Sequence, residues 1–156
     1  MRRMWVLMLG LFAALCVAWP QAAAGGQMRL GLRGGATIDP DQVHFGFHVQ
    51  APLVPHLRFQ PNVEVGVGGD LTLIALNPEL NYLFTTRGPV KPYVGGGPGI
   101  NVYNRRSPFD ETRTRVGVNF VFGIEIPLRG ANSFLAEMKV GAGNTPELKM
   151  TFGVTF

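Results

Sequence analysis

Met150-Thr151-Phe152-Gly153-Val154-Thr155-Phe156 alternates large apolar residues with small ones and stops on an aromatic. Alternation with a period of two is the signature of a strand whose two faces meet different surroundings. Such an apolar face must be covered by a protein core or by lipid. The same alternation runs through the chain back to about residue 27, so the choice made for this stretch decides the fold.

Alternating segments cover 27–36, 42–51, 56–67, 71–84, 91–103, 113–127, 132–142 and 147–156, and no stretch keeps a helical period over three turns. The connections TIDPD, PLVP, GGD, TTRGPV, NRRSPFDE, PLRGAN and GNTP carry the Gly, Pro, Asn, Asp and Ser that turns select. One face of these strands collects Leu30, Leu32, Phe45, Phe47, Val49, Val63, Val65, Ile74, Leu76, Val116, Val118, Phe120, Phe122, Phe152 and Val154. The other collects Arg29, Arg33, His44, His48, Arg58, Asn62, Glu64, Asn77, Glu79, Tyr93, Asn101, Arg115, Asn119, Glu125, Glu137, Lys139 and Lys149.

A soluble barrel would turn the apolar face inward, and a membrane barrel turns it outward. The polar face also holds Gly31, Gly46, Gly95, Gly97, Gly99, Gly117, Gly123 and Gly153, which suits a narrow lumen better than a solvated exterior. After residue 24 the only lysines are Lys91, Lys139 and Lys149, few for a water-facing sheet. The apolar set is also too bulky for the inside of a small barrel. A sheet that crosses lipid has to close, because an open edge leaves backbone groups unpaired. The expectation is an all-β, eight-stranded antiparallel up-and-down transmembrane β-barrel over 25–156, monomeric, with a side-chain-filled lumen.

The front of the chain differs. Arg2 and Arg3 precede an apolar run from Met4 to Trp19, then Pro20 and Ala22-Ala23-Ala24, the pattern of a secretory signal peptide cleaved after Ala24. Cys16, the only cysteine, lies inside it, so no disulfide framework is expected afterwards. The 14 basic residues exceed the 10 acidic ones partly through the signal, since removing Arg2 and Arg3 leaves 12 against 10. No basic cluster interleaved with aromatics appears, which argues against nucleic acid.

Pro92-Tyr93-Val94-Gly95-Gly96-Gly97-Pro98-Gly99 and the ending Met150 to Phe156 resemble the small OmpA/OmpX-like outer-membrane β-barrels. The resemblance spans essentially all of the chain after the signal. It implies outer-membrane lipid as surroundings, and the loop lengths, with both termini periplasmic, turn TIDPD, GGD, NRRSPFDE and GNTP to the outside. It also implies a barrel-assembly machinery that reads Phe152, Val154 and Phe156. The family's roles are diverse: envelope structure, adhesion, defence evasion and, in cousins of the same size, lipid modification.

Within that frame the polar face suggests a salt-bridged lumen network of Arg29, Arg33, His44, His48, Arg58, Glu64, Glu79, Arg115, Glu125, Glu137, Lys139 and Lys149. A plug is the expectation and a small-solute pore the alternative. His44 and His48, about 13 Å apart along one strand, cannot share a metal, and with a turn near 38–39 they would pair across from Arg33 and Arg29. Ser133 and Ser107 have no histidine placed to serve them, so no catalysis and no cofactor are expected. Pro61, Pro78 and Pro98 fall mid-strand, where a ladder donor is lost. Turns centred between 69 and 70 and on 88 would align all three at one level, which raises lateral lipid access and a lipid-modifying enzyme as a second alternative. The long connection, 104–112, offers Arg105, Arg106, Asp110 and Glu111 as contacts for an extracellular partner.

Overall fold

The computed structural model describes residues 26–105 and 111–156. The expected signal peptide with Cys16, and Arg106, Ser107 and Asp110, lie outside the described residues. Among the described residues ten strands form: β1 (Arg29–Ile38), β2 (Gln42–Val54), β3 (Leu57–Phe59), β4 (Asn62–Gly68) and β5 (Leu71–Asn77). They continue as β6 (Leu80–Leu83), β7 (Lys91–Arg105), β8 (Glu111–Pro127), β9 (Ser133–Gly143) and β10 (Leu148–Thr155).

These ten strands make eight passes of one antiparallel wall. The expected strands 56–67 and 71–84 are each divided, into β3 and β4 at Pro61 and into β5 and β6 at Pro78. Each proline lacks the N–H that would continue the ladder. β1 pairs with β2 on one side and with β10 on the other, from Gly31 opposite Thr155 to Ile38 opposite Leu148, so the sheet closes.

The closed wall is inside out relative to a soluble protein. Leu32, Val43, Phe45, Val116, Phe120 and Phe152 are exposed on the outer surface. His48, Gln60, Asn62, Glu64, Asn77, Glu79 and Lys139 are buried within. An exterior of this kind is stable against hydrocarbon and not against water. Tyr82, Phe84, Phe134 and Phe156 gather at the end that carries both termini, with Tyr82 and Phe84 edge to face at 5.3 Å. That is where an interfacial aromatic girdle belongs.

The two faces depart from a strict division into polar and lipid-exposed in two respects. Leu73, Val121 and Leu135 also point inward and are fully buried. Val49, expected against lipid, is covered to 8% exposure on the outer wall just before the irregularity that interrupts β2 between Pro52 and Val54.

Candidate functional site

The lumen is the place where chemistry could be housed. At the end carrying the termini, Arg29 Nη2 donates to Gln50 Oε1 at 2.6 Å and to Glu125 Oε1 at 2.7 Å. Arg58 pairs with the other oxygen of Glu125 and lies over the Tyr93 ring, 4.9 Å from its centroid. Gly123 faces that ring across the β7–β8 ladder, and any side chain there would overlap it.

Tyr93 carries the network inward by donating its hydroxyl to Glu137 Oε1 at 2.7 Å. Glu137 also pairs with Arg33 and accepts from Gln60 Nε2 at 2.6 Å. Glu64 lies 3.1 Å from Arg33 Nε and 2.9 Å from Lys149 Nζ. Lys139 Nζ reaches Glu79 at 2.6 Å, Asn62 at 3.2 Å and Glu64 at 3.4 Å. Arg33, Lys139 and Lys149 thus balance Glu64, Glu79 and Glu137 charge for charge. An isolated charge in so dry a place would cost several kcal/mol.

Beyond the ion pairs runs an amide chain. Asn77 Nδ2 donates to Asn62 Oδ1 and Asn119 Nδ2 to Asn77 Oδ1, both at 2.9 Å. Asn119 on β8 reaches Asn77 on β5 because the strand between them presents Gly99. A methyl at that position would sit 2.7 Å from Asn119 Nδ2 and 3.3 Å from Asn77 Oδ1.

The histidines bond to hydroxyls rather than to the charged groups near them. Thr37 pairs with Gln42, so the first turn centres between Asp39 and Pro40, one residue later than expected. His44 therefore faces Gly35 and His48 faces Gly31, instead of Arg33 and Arg29. His44 meets Thr37 Oγ1 and Thr151 Oγ1, each at 3.0 Å, and His48 Nε2 meets Thr155 Oγ1 at 2.9 Å. Glycine opposite leaves room for the His48 ring.

Arg115, placed with the network by its inward parity, is separate from it. It is exposed at the far mouth with its guanidinium 5.5 Å from the Tyr103 ring centroid. Arg105 ends β7 at the same mouth. The side chain of Glu111 lies outside the described residues.

Sequence reasoning missed one part of this interior. The connection GNTP, expected as an exposed loop, folds inward and buries Thr145 and Pro146 in the barrel mouth. Thr145 Oγ1 donates to Val118 O at 3.3 Å, and Gly141 N–H donates to Glu147 O at 3.0 Å. Gly99, Gly117 and Gly141 supply the clearance, since a side chain at any of them would strike Thr145. The signal was there in three inward glycines on neighbouring strands, Gly99 opposite Gly117 and Gly141 opposite Asn119.

No family profile matches the sequence, and no curated protein matches it. Solved structures do. The N-terminal β-barrel domain of Pseudomonas aeruginosa OprF superposes with a TM-score of 0.70 at 16% identity, over 83% of this chain and 95% of that one. Neisserial surface protein A superposes with a TM-score of 0.65 at 16% identity, over 82% and 94%. The fold is that of the small transmembrane barrels. A de novo designed transmembrane β-barrel also matches, with a TM-score of 0.62 at 14% identity over 88% of this chain and 98% of the design. At these identities the likeness shows the fold, and function has to be argued from residues.

Proposed function

We propose that this chain is a bacterial outer-membrane barrel with a structural or surface-interacting role, its lumen filled by its own ion-paired side chains and without a catalytic centre. The observation that supports it best is the continuous network from Arg29 to Asn119, in which each buried cation from Arg33 to Lys149 meets a carboxylate. In this reading the protein is a monomer freed of its signal after Ala24 and inserted by machinery that reads Phe152, Val154 and Phe156. It meets extracellular partners through the connection 104–112.

Planar-bilayer recording tests the filled lumen. Purified protein is expected to give no discrete conductance steps. Steps that disappear in Arg115→Gln or Glu125→Gln would replace this reading with a small-solute pore.

A second reading draws on the prolines. The Phe84 N–H donates to Pro92 O at 2.9 Å, which sets the phase of the β6–β7 ladder. Two-residue steps from there, in the register of Leu80 opposite Gly96 and Leu76 opposite Ile100, bring Pro78 opposite Pro98. A hydrogen-bonded pair would have two N–H donors at that level, and these residues have none. Lipid access through this seam would favour a lipid-modifying activity. The acylation pattern of lipid A in cells expressing the protein decides it, and an unchanged pattern removes the reading.

A further inference from the structure

The far mouth of the barrel holds a cavity of about 410 Å³ whose chemistry differs from that of the plug beneath it. Arg105, Arg113 and Arg115 line one side, and Asp39 and Glu147 line the other, with Tyr103 between the arginines. The inward-folded 144–147 turn closes the bottom, where Asn101 Nδ2 donates to Asn144 O at 3.4 Å. The volume falls within the range of small-molecule sites.

Deeper in the barrel, Arg33, Arg58, Lys139 and Lys149 are each bound to glutamate. Among the described residues, neither Arg105 nor Arg115 makes an ion pair, although Asp39 and Glu147 share their cavity. The antiparallel register sets Arg113 opposite Tyr103 and Arg115 opposite Asn101, so the guanidinium groups enter from one wall at adjacent inward positions. The Tyr103 ring holds the plane of Arg115 by a cation–π contact and leaves its N–H edges free to donate.

Guanidinium forks match the oxygens of phosphate in pairs, and several of them recognise an anion with more than one charge better than a single carboxylate. The carboxylates of Asp39 and Glu147 across the cavity are acceptors suited to hydroxyl groups. We infer that the far mouth is a binding site for a phosphorylated sugar, with Arg105 and Arg115 on the phosphate and Asp39 and Glu147 on the hydroxyls. The ligand's source is either a free sugar phosphate or the phosphorylated head of a glycolipid that reaches over the rim. This goes beyond the structural role proposed above and does not require the lumen to conduct or to stay closed.

Calorimetric titration of the folded barrel in neutral detergent with glucose 1-phosphate tests it, with glucose and inorganic phosphate as comparison ligands. The expected result is saturable binding that weakens about tenfold in Arg115→Gln and in Arg105→Gln. Binding should also weaken as salt rises from about 50 to about 300 mM, while Arg29→Gln at the opposite mouth leaves it unchanged. Glucose should bind far more weakly than its phosphate ester. Absence of saturable binding, equal binding of glucose, or unaltered affinity in both arginine variants would overturn the inference. Should the variants fail to fold, the glucose comparison and the salt series on the unmodified protein still decide. Nanodiscs doped with a phosphorylated glycolipid separate the sources: a lowered apparent affinity for glucose 1-phosphate assigns the site to the headgroup as well, and an unchanged one assigns it to the free ester.

Discussion

The β7–β8 hairpin and the hairpin from β3 to β6 come from the same alternating pattern, yet their walls are built differently. β7 and β8 pair without interruption from Lys91 opposite Glu125 to Arg105 opposite Glu111. The other hairpin breaks at Pro61 and Pro78, keeping Gln60 N–H to Glu79 O at 2.8 Å and Val49 N–H to Pro61 O at 3.0 Å across the break. Directly inside that break lie Asn62, Asn77 and Asn119, with Lys139 bound to Glu79. Where the backbone ladder thins, side chains in the lumen tie the same strands together. The difference teaches that a barrel wall can shift part of its cohesion from its backbone to its filling.

Lys139→Met breaks that arrangement most severely. It strips Glu79 of its ion pair and leaves Glu64 with two of its three cations. Removing one partner of a buried pair costs about 3–5 kcal/mol. The midpoint of urea unfolding, followed by the electrophoretic shift of the folded barrel, is expected to fall accordingly. A cost below about 1 kcal/mol, the usual worth of an exposed pair, would show that the filling does not hold the seam.

Gly99→Val attacks the amide chain without touching a charge. The new side chain would occupy the space between Asn119, Thr145 and Asn77. Overpacking of a filled interior costs about 1–3 kcal/mol, and the loss should appear in the same unfolding assay. Gly88→Val is the control, since that glycine lies in an exposed turn with open space around it.

Hydrogen exchange then compares the two sides of one strand. On β7 the N–H groups of Gly96 and Ile100 look toward β5 and β6, and those of Gly95, Gly97 and Gly99 look toward β8. In lipid nanodiscs Gly96 and Ile100 are expected to exchange about tenfold faster, a difference of about 1.4 kcal/mol in local opening. Equal protection on both sides would mean that the missing rungs do not weaken the wall.

Much of this contrast is legible in the sequence, because strand pairing is arithmetic once a turn is fixed. The register of Asn62 with Asn77 and of Leu80 with Gly96 follows from turns centred between 69 and 70 and on 88, which bring Pro61, Pro78 and Pro98 to one level. The alternation of apolar and polar residues sorted outer wall from lumen for nearly every strand. The composition of TIDPD announces a turn but not its centre, which the structure sets one residue later, with Asp39 at φ of 48°. A slip of one residue in the centre moved both histidines from arginine to glycine. Parity places Arg115 with the plug because it gives the side of the wall and says nothing of depth. The burial of Thr145 is not legible because turn composition does not reveal whether a turn points outward or in.

Pro98→Ala sharpens the contrast by repairing it. The new N–H would stand opposite Pro78 O in the hydrogen-bonded phase of the ladder, at the level where neither strand has a donor. One restored bond contributes about 0.5–1.5 kcal/mol, while the loss of proline from the unfolded chain offsets about 0.4–1 kcal/mol of that. Global stability is therefore expected to change little, and local exchange is the more telling readout. Gly96 and Ile100 should slow toward the rates of Gly97 and Gly99, with the β8 side of the strand unaffected. If lipid enters through the seam, the same variant closes its path while leaving the lumen network intact. Unaltered exchange at Gly96 would mean that the two strands stand too far apart at Pro78 for an added donor to reach, and the seam would then be a permanent feature of the wall.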